Sequence, residues 1–257
     1  MALKKVRDPG GKALVLLEIT VAHILKDQLE IATRYMEEVT SLVSTTQTPP
    51  HVLLVYLYLK SALARQRSEH MEATESVFFA KQLIATVQPG RYTGSVNYHA
   101  ALFLLKKNWK EMDEQVFLEA KQNLVLAIDH YERGISDEMY GASCLKKQQR
   151  AFIRLALLLL NWKGPMGVPT QENLTAAKNC LDRVERRFLY WASNRLRCYF
   201  YLAKSDLYYR EENIPGAIAC AEISLDISRQ SNYPPEVGLA KERLCFLRSL
   251  GLAFSPV

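Results

Sequence analysis

The stretch Ser205-Asp-Leu-Tyr208-Tyr-Arg-Glu-Glu-Asn-Ile-Pro-Gly-Ala217-Ile-Ala-Cys-Ala221-Glu-Ile-Ser224-Leu225 decides how the chain is read. Small and aromatic residues fall at Ser205, Tyr208, Ala217, Ala221 and Ser224, and Asn213, Pro215 and Gly216 punctuate the pattern between its halves. Two helices bring their main chains together only where small side chains face each other, and an aromatic fills the wedge that opens behind them. The spacing therefore predicts an antiparallel helix pair, with Asn213 as the N-cap of the second helix.

Working outward, the same spacing recurs at Thr20, His23, Ala32, Met36 and Val39, and again at Ser61, Ala64, Ala73, Val77 and Ala80. In the middle of the chain only the second half survives, as Ala127, Tyr131 and Gly134, with Leu118 in the aromatic slot. Around Ala177, Leu181 and Val184 the second helix fits, and the segment 164–170 displaces its predecessor. The alanine anchors Ala32, Ala73, Ala127, Ala177 and Ala217 are 41, 54, 50 and 40 residues apart.

Helical periodicity fills the rest, as in Leu14, Leu17, Val21 and Ile24 or Leu29, Ala32, Met36 and Val39, and strand-like alternation is hard to find. Proline marks the joins at Pro49–Pro50, Pro89, Pro169 and Pro234–Pro235, because it is tolerated in a first helical turn and disfavoured inside a helix. Thr170 is a second N-cap candidate. The map that follows has helices near 12–26, 28–45, 50–66, 70–88, 94–108, 110–136, 142–163, 171–186, 190–211, 214–230 and 234–250.

This pattern resembles the tetratricopeptide repeat (TPR), most strongly over 205–225, although a regular array of that family repeats every 34 residues. Longer helices and the inserted loop account for the wider spacing here. The resemblance implies an all-α fold: an α-solenoid of about five antiparallel helix pairs, a TPR-like superhelix, plus a C-terminal helix, in a single domain over 1–257. In such arrays the first helix of each pair lines a concave face where ligands lie. The matching positions are Tyr199, Leu202, Asp206, Tyr209 and Arg210, a tyrosine-rich surface suited to a peptide with apolar anchors and an acidic group. Some members grip a C-terminal carboxylate with paired Asn and Lys/Arg residues. The corresponding faces offer Lys60, Arg67 and Arg210 without the asparagines, so such a clamp is not expected.

Composition bounds the rest. With 49% hydrophobic residues in 257, the chain has ample material for a core, and 11 Gly and 10 Pro are too few for an all-β chain with a turn every few residues. The five cysteines, Cys144, Cys180, Cys198, Cys220 and Cys245, are odd in number and form no C-x-x-C, which favours reduced core thiols over disulfides or a zinc site. Glu18 cuts the apolar run Ala13–Leu17, arguing against a signal peptide, and Leu155–Leu160 is far short of a membrane span. A cytoplasmic or nuclear address is expected.

Net charge is +6, and the densest basic region is Arg183, Arg186, Arg187, Arg195 and Arg197, interleaved with Phe188, Tyr190 and Trp191. It reads either as a solvated helix face whose aromatics pack inward or as a groove for phosphate or an acidic peptide. Catalytic motifs are missing: no Walker A loop, dinucleotide fingerprint, H-E-x-x-H or nucleophile elbow occurs. His23, His51, His70, His99 and His130 never pair at i+3 or i+4, His70 with Glu69 and Glu72 suits a helix start, and nothing brings His99 to Cys144 or Cys198.

The expectation is a non-catalytic adaptor or scaffold subunit without metal, cofactor or membrane. It would bind a protein segment or partner subunit through its groove and its apolar ends, Ala13–Leu25 and Val237–Leu250. The alternative is a nucleic-acid binder using 183–197.

Overall fold

The computed structural model describes residues 8–45, 47–108, 112–162 and 167–253, with backbone alone at 25, 106–108 and 251–253. Eleven α-helices account for most of these: α1 (Pro9–Leu25), α2 (Leu29–Thr45), α3 (Pro50–Gln66), α4 (His70–Leu83), α5 (Arg91–Asn108), α6 (Glu114–Arg133), α7 (Gly141–Leu160), α8 (Gln171–Arg187), α9 (Asn194–Arg210), α10 (Ile214–Gln230) and α11 (Pro234–Ala253). Short 3-10 turns cover Ile84–Thr86 and Leu189–Trp191. Among the described residues there is no strand, and no helix is long and apolar enough to cross a membrane. The protein is all-α, as the periodicity predicts.

Helix starts follow capping chemistry. The Asp8 carboxylate accepts from the Gly11 N–H at 2.6 Å, ahead of Pro9 in the first turn. Thr170 accepts from Asn173 N–H (3.2 Å) and Asn213 from Gly216 N–H (3.0 Å), so both expected caps are present. Several boundaries differ from the sequence map by three to five residues: α1 and α5 begin earlier, at Pro9 and Arg91, α4 and α7 end earlier, at Leu83 and Leu160, α6 is shorter at both ends, and α11 runs on to Ala253. The difference with most consequence is at α9, where Ser193 is the cap, accepting from Leu196 N–H at 3.4 Å, so the helix begins at Asn194 and not near 190. Tyr190 and Trp191 thereby fall in the 3-10 turn, outside any amphipathic face.

The chain divides into two compact units, Met1–Phe103 with Asp129–Cys144, and Leu104–Ile128 with Leu145–Val257. Three helix pairs share one design, α1–α2 and α3–α4 in the first unit and α9–α10 in the second, and the α10–α11 join repeats the turn alone, through Asn232 (φ 53°) with Tyr233 N–H reaching the Ser228 carbonyl at 2.9 Å. In each pair, the turn passes through a non-glycine residue in the left-handed region: Asp27 (φ 59°), Ser68 (65°) and Glu212 (60°). The following N–H reaches back to a carbonyl of the helix just ended: Gln28 to His23 (2.9 Å), Glu69 to Ala64 (2.9 Å) and Asn213 to Tyr208 (2.8 Å). These bonds satisfy carbonyls that a helix end otherwise leaves open, offsetting the roughly 1–2 kcal/mol that left-handed backbone costs an L-residue.

Counted from those turns, Thr20, Ser61 and Ser205 lie seven residues before, and Ala32, Ala73 and Ala217 five residues after. All six are 0% exposed. Where the approach is clearest, Ser205 Oγ donates to the Ala217 carbonyl at 2.7 Å and Ser224 Oγ to the Cys198 carbonyl at 3.1 Å, so the hydroxyls are consumed across the α9–α10 contact. Leu118, placed by spacing in an aromatic wedge, is 48% exposed; that part of the repeat does not extend to the first half of α6.

The first unit packs Leu16, Leu17, Met36, Val39, Val55 and Leu59 as its main core. Around it, the Glu18 carboxylate accepts from the Tyr92 hydroxyl, from Tyr140 Oη (3.2 Å) and from Arg91 Nη1 (3.3 Å), while the Arg91 guanidinium lies over both tyrosine rings at 4.8 and 4.9 Å. Burial and the adjacent carboxylate hold the Tyr92 hydroxyl far above the ordinary phenol range, so it stays a donor. In the same unit the Tyr131 ring rests on the backbone of α5 at Gly94, where an added Cβ would sit 2.7 Å from ring carbons.

Two outcomes follow. Ala217→Leu should overpack the α9–α10 contact and cost about 1–3 kcal/mol, read as a lower urea midpoint; an unchanged midpoint is incompatible with this register. Gly94→Ala should displace the Tyr131 ring and carry a cost of similar order, about 1–3 kcal/mol, on the same measurement.

Candidate functional site

The five residues expected to line a groove on α9 separate in the structure. Leu202 is 1% exposed and packs with Ala217, Ala221, Leu225, Leu244 and Leu247. Asp206 is 0% exposed, and Arg243 of α11 holds it through both arms, Nε to Oδ1 at 2.6 Å and Nη2 to Oδ2 at 2.8 Å. Burial pushes the Asp206 carboxyl upward, and the guanidinium opposes that. Neither residue faces solvent, so both leave the expected groove. The reason is that α11 covers this face of α9, and a buried carboxylate persists only with a paired, hydrogen-bonded cation.

Tyr199 is half-buried beneath the Arg154 guanidinium, 4.7 Å from its ring centre. Tyr209 belongs to an aromatic trio with Trp162 and Phe246, with ring centres 5.5, 4.9 and 5.4 Å apart and all pairs edge-on, and Arg243 lies over Trp162 at 5.1 Å. Arg210 stacks on Tyr209 (5.4 Å) and donates to the Asn161 carbonyl at 3.0 Å.

Tyr209 and Arg210 nonetheless reach an open cleft of about 1100 Å³. Its apolar lining is Ile214, Pro215, Ile218, Ala219, Leu250 and the solvent-exposed Val168, and Glu212 and Glu222 add two carboxylates. Sequence reading missed this lining. The signal was there: the apolar stripe of α10 is wider than its small-residue contact, with Ala217 and Ala221 buried and Ile214 and Ile218 on its edge, Ile218 packed partly against the same core.

The five arginines expected as one basic patch also divide. Arg183, Arg186 and Arg187 line a second cleft of about 660 Å³ with Phe152, Asn179, Cys180 and Asp182. Arg195 is elsewhere engaged, its Nε 3.0 Å from the buried Glu236 carboxylate and its guanidinium 4.7 Å over Tyr233. Arg197 is half-buried, its Nε enclosed without a hydrogen-bond partner. Of the interleaved aromatics, Phe188 packs inward at 5% exposure, while Tyr190 and Trp191 are 87% and 81% exposed. Inward packing therefore fails for both.

Cys180 sits in the second cleft, but burial pushes its thiol up to about 12, and burial also raises Cys198 and Cys220; all three are protonated at neutral pH and poor nucleophiles. Cys245, expected in the core, is exposed. Among the described residues no group of three or more His, Cys, Asp or Glu side chains gathers as a metal site. Lys60 and Arg67, the other candidate carboxylate binders, are engaged locally, Lys60 with Glu72 at 3.2 Å and Arg67 with the Thr33 hydroxyl.

Removing one partner of the buried pair should be severe. Asp206→Ala strands the Arg243 charge and should cost about 3–5 kcal/mol, whereas Asp206→Leu with Arg243→Met should recover most of it. Urea unfolding of the three proteins checks this; a double variant as unstable as the single one contradicts the pairing.

No protein-family model and no curated protein matches the sequence. In structure, the chain is similar to the crystal structure of BtubC (BKLC) from P. vanneervenii, with a TM-score of 0.61 at 12% identity, covering 88% of this chain and 83% of that one. The likeness is one of all-helical fold.

Proposed function

We propose that this protein is a non-catalytic adaptor or scaffold subunit, built as a TPR-like α-solenoid of about five helix pairs plus a C-terminal helix. It captures a segment of a partner protein in the cleft beside Tyr209 and Arg210, in the cytoplasm or nucleus. The observation that supports this most directly is the apolar wall of Ile214, Pro215, Ile218 and Leu250 beside a half-buried tyrosine and an arginine. Apolar area of this kind, with charge in its lining, is what a partner's side chains cover when they dock, and tyrosine and arginine dominate the energetics of such contacts. The hairpins α1–α2, α3–α4 and α9–α10, with their common register, support the repeat reading.

The nucleic-acid alternative would have to run mainly through Arg183, Arg186 and Arg187, because Arg195 is committed to Glu236 and Tyr233 and Arg197 is half-buried with its Nε enclosed. Such binding would weaken steeply with salt.

Affinity capture with the tagged chain, with and without nuclease, separates the readings. A stoichiometric protein partner should survive nuclease, and Ile218→Glu should reduce its recovery by about tenfold or more, the equivalent of one buried hot-spot contact, with the helical circular dichroism unchanged. Full recovery on Ile218→Glu removes the cleft from the proposal, and loss of every partner after nuclease moves nucleic acid to the front.

A further inference from the structure

We infer that the end of α8 and the turn that follows it form a second docking surface, for an acidic peptide segment carrying apolar side chains. This surface stands apart from the cleft at Tyr209 and does not depend on it.

Three guanidiniums converge on one side of α8 at Arg183, Arg186 and Arg187, the i, i+3, i+4 spacing of a single helical face. None of them has a carboxylate partner among the described residues. The nearby acid Glu185 does not neutralise them, being held by Lys204 at 2.6 Å. Rings steady two of the three: Arg183 lies 5.5 Å over Phe152 and Arg187 5.7 Å over Phe188. A guanidinium restrained over a ring meets a carboxylate with less side-chain entropy left to lose. The C-terminal end of α8 accounts for basic residues at Arg186 and Arg187. It does not account for Tyr190 and Trp191, which stand in water immediately after it at 87% and 81% exposure. Exposed rings in the turn that follows a cleft holding three guanidiniums against the one carboxylate of Asp182 are complementary to a ligand that is both acidic and apolar.

Two features favour a peptide over a nucleic acid. First, the Asp182 carboxylate lines the same cleft, and a peptide can meet it with a main-chain N–H while its acidic side chains go to the arginines, whereas a phosphate backbone carries a charge on every unit and has no donor to offer. Second, the Tyr190 and Trp191 rings are perpendicular, at 87° with centres 4.9 Å apart. Successive bases stack on successive parallel faces; a perpendicular pair instead forms a corner that an aliphatic side chain fills. The cationic track is also only about one helical turn long, since Arg195 faces other partners.

The test is selection of phage-displayed random dodecapeptides on the full chain, on Arg186→Gln/Arg187→Gln, on Trp191→Ala and on Ile218→Glu. A single-stranded oligothymidylate is titrated in parallel. The substituted side chains at 186, 187 and 191 are exposed, and circular dichroism confirms that each variant is folded. Selected peptides should be enriched in Asp and Glu interspersed with aliphatic residues. Recovered clones should bind about tenfold or more weakly to the arginine and tryptophan variants, and equally well to Ile218→Glu. No acidic enrichment, or enrichment indifferent to Arg186→Gln/Arg187→Gln, overturns the inference. So does oligothymidylate binding that those same substitutions abolish, which assigns the surface to nucleic acid. Loss of the acidic clones on Ile218→Glu alone moves them to the other cleft and overturns it equally.

Discussion

The constraint on which the architecture rests is steric: paired helices approach closely only where neither brings bulk to the contact. Thr20 with Ala32, Ser61 with Ala73 and Ser205 with Ala217 satisfy it at matching positions, each fully enclosed, and at the last pair the serine hydroxyl bonds directly to the alanine's carbonyl. Once that distance is set, the turn has little freedom. Each hairpin must reverse within a few residues, and each does so through one left-handed residue and a backbone bond to the helix it has just left. Neither Asp27, Ser68 nor Glu212 is glycine, so the packing of the pair and the satisfied carbonyls sustain a backbone conformation that these side chains disfavour.

A second constraint decides which face of α9 is available. Asp206 is one turn from Leu202 and Tyr209–Arg210, on the side where a solenoid's first helix usually meets its ligand. Here α11 occupies that side, and the charge survives burial because Arg243 meets it with two hydrogen bonds and is itself stacked on Trp162. The ion pair is therefore a fastening between α9 and α11, and the aromatic trio of Trp162, Tyr209 and Phe246 closes over it. What remains open shifts outward, to the rim where Tyr209 and Arg210 meet the exposed face of α10. The open cleft therefore lies at the edge of α10 and not on the face of α9 to which the repeat pattern points.

The basic region follows the same logic. Five arginines close in sequence look like one surface, but a helix boundary lies among them. Ser193 caps α9 after a 3-10 turn, and the change of direction sends Arg195 toward Glu236 and Tyr233 while Arg183, Arg186 and Arg187 stay on α8. The turn also takes Tyr190 and Trp191 off any helical face, leaving them in solvent although their neighbour Phe188 is core.

The amino-acid sequence by itself determined the all-helical class, the order of the helices, two of the caps and the alanine anchors, and it placed the helix ends best where a proline or a cap marks them. These depend on local periodicity and on short-range hydrogen bonds, information that lies within one helix or one turn. Of the residues that the repeat pattern and the charge clustering single out, Tyr209, Arg210, Arg183, Arg186 and Arg187 line open clefts. Only the tertiary structure decided that Leu202 and Asp206 are core, that Arg195 is engaged, that Leu118 and Cys245 are exposed, and that Ile214 and Ile218 form a wall. Each of these turns on which helix, distant in sequence, covers a given face: Asp206 and Arg243 are 37 residues apart and lie in two different helices. Periodicity says that a face is apolar or charged; the neighbouring element that arrives or fails to arrive there determines whether it is a core or a binding surface.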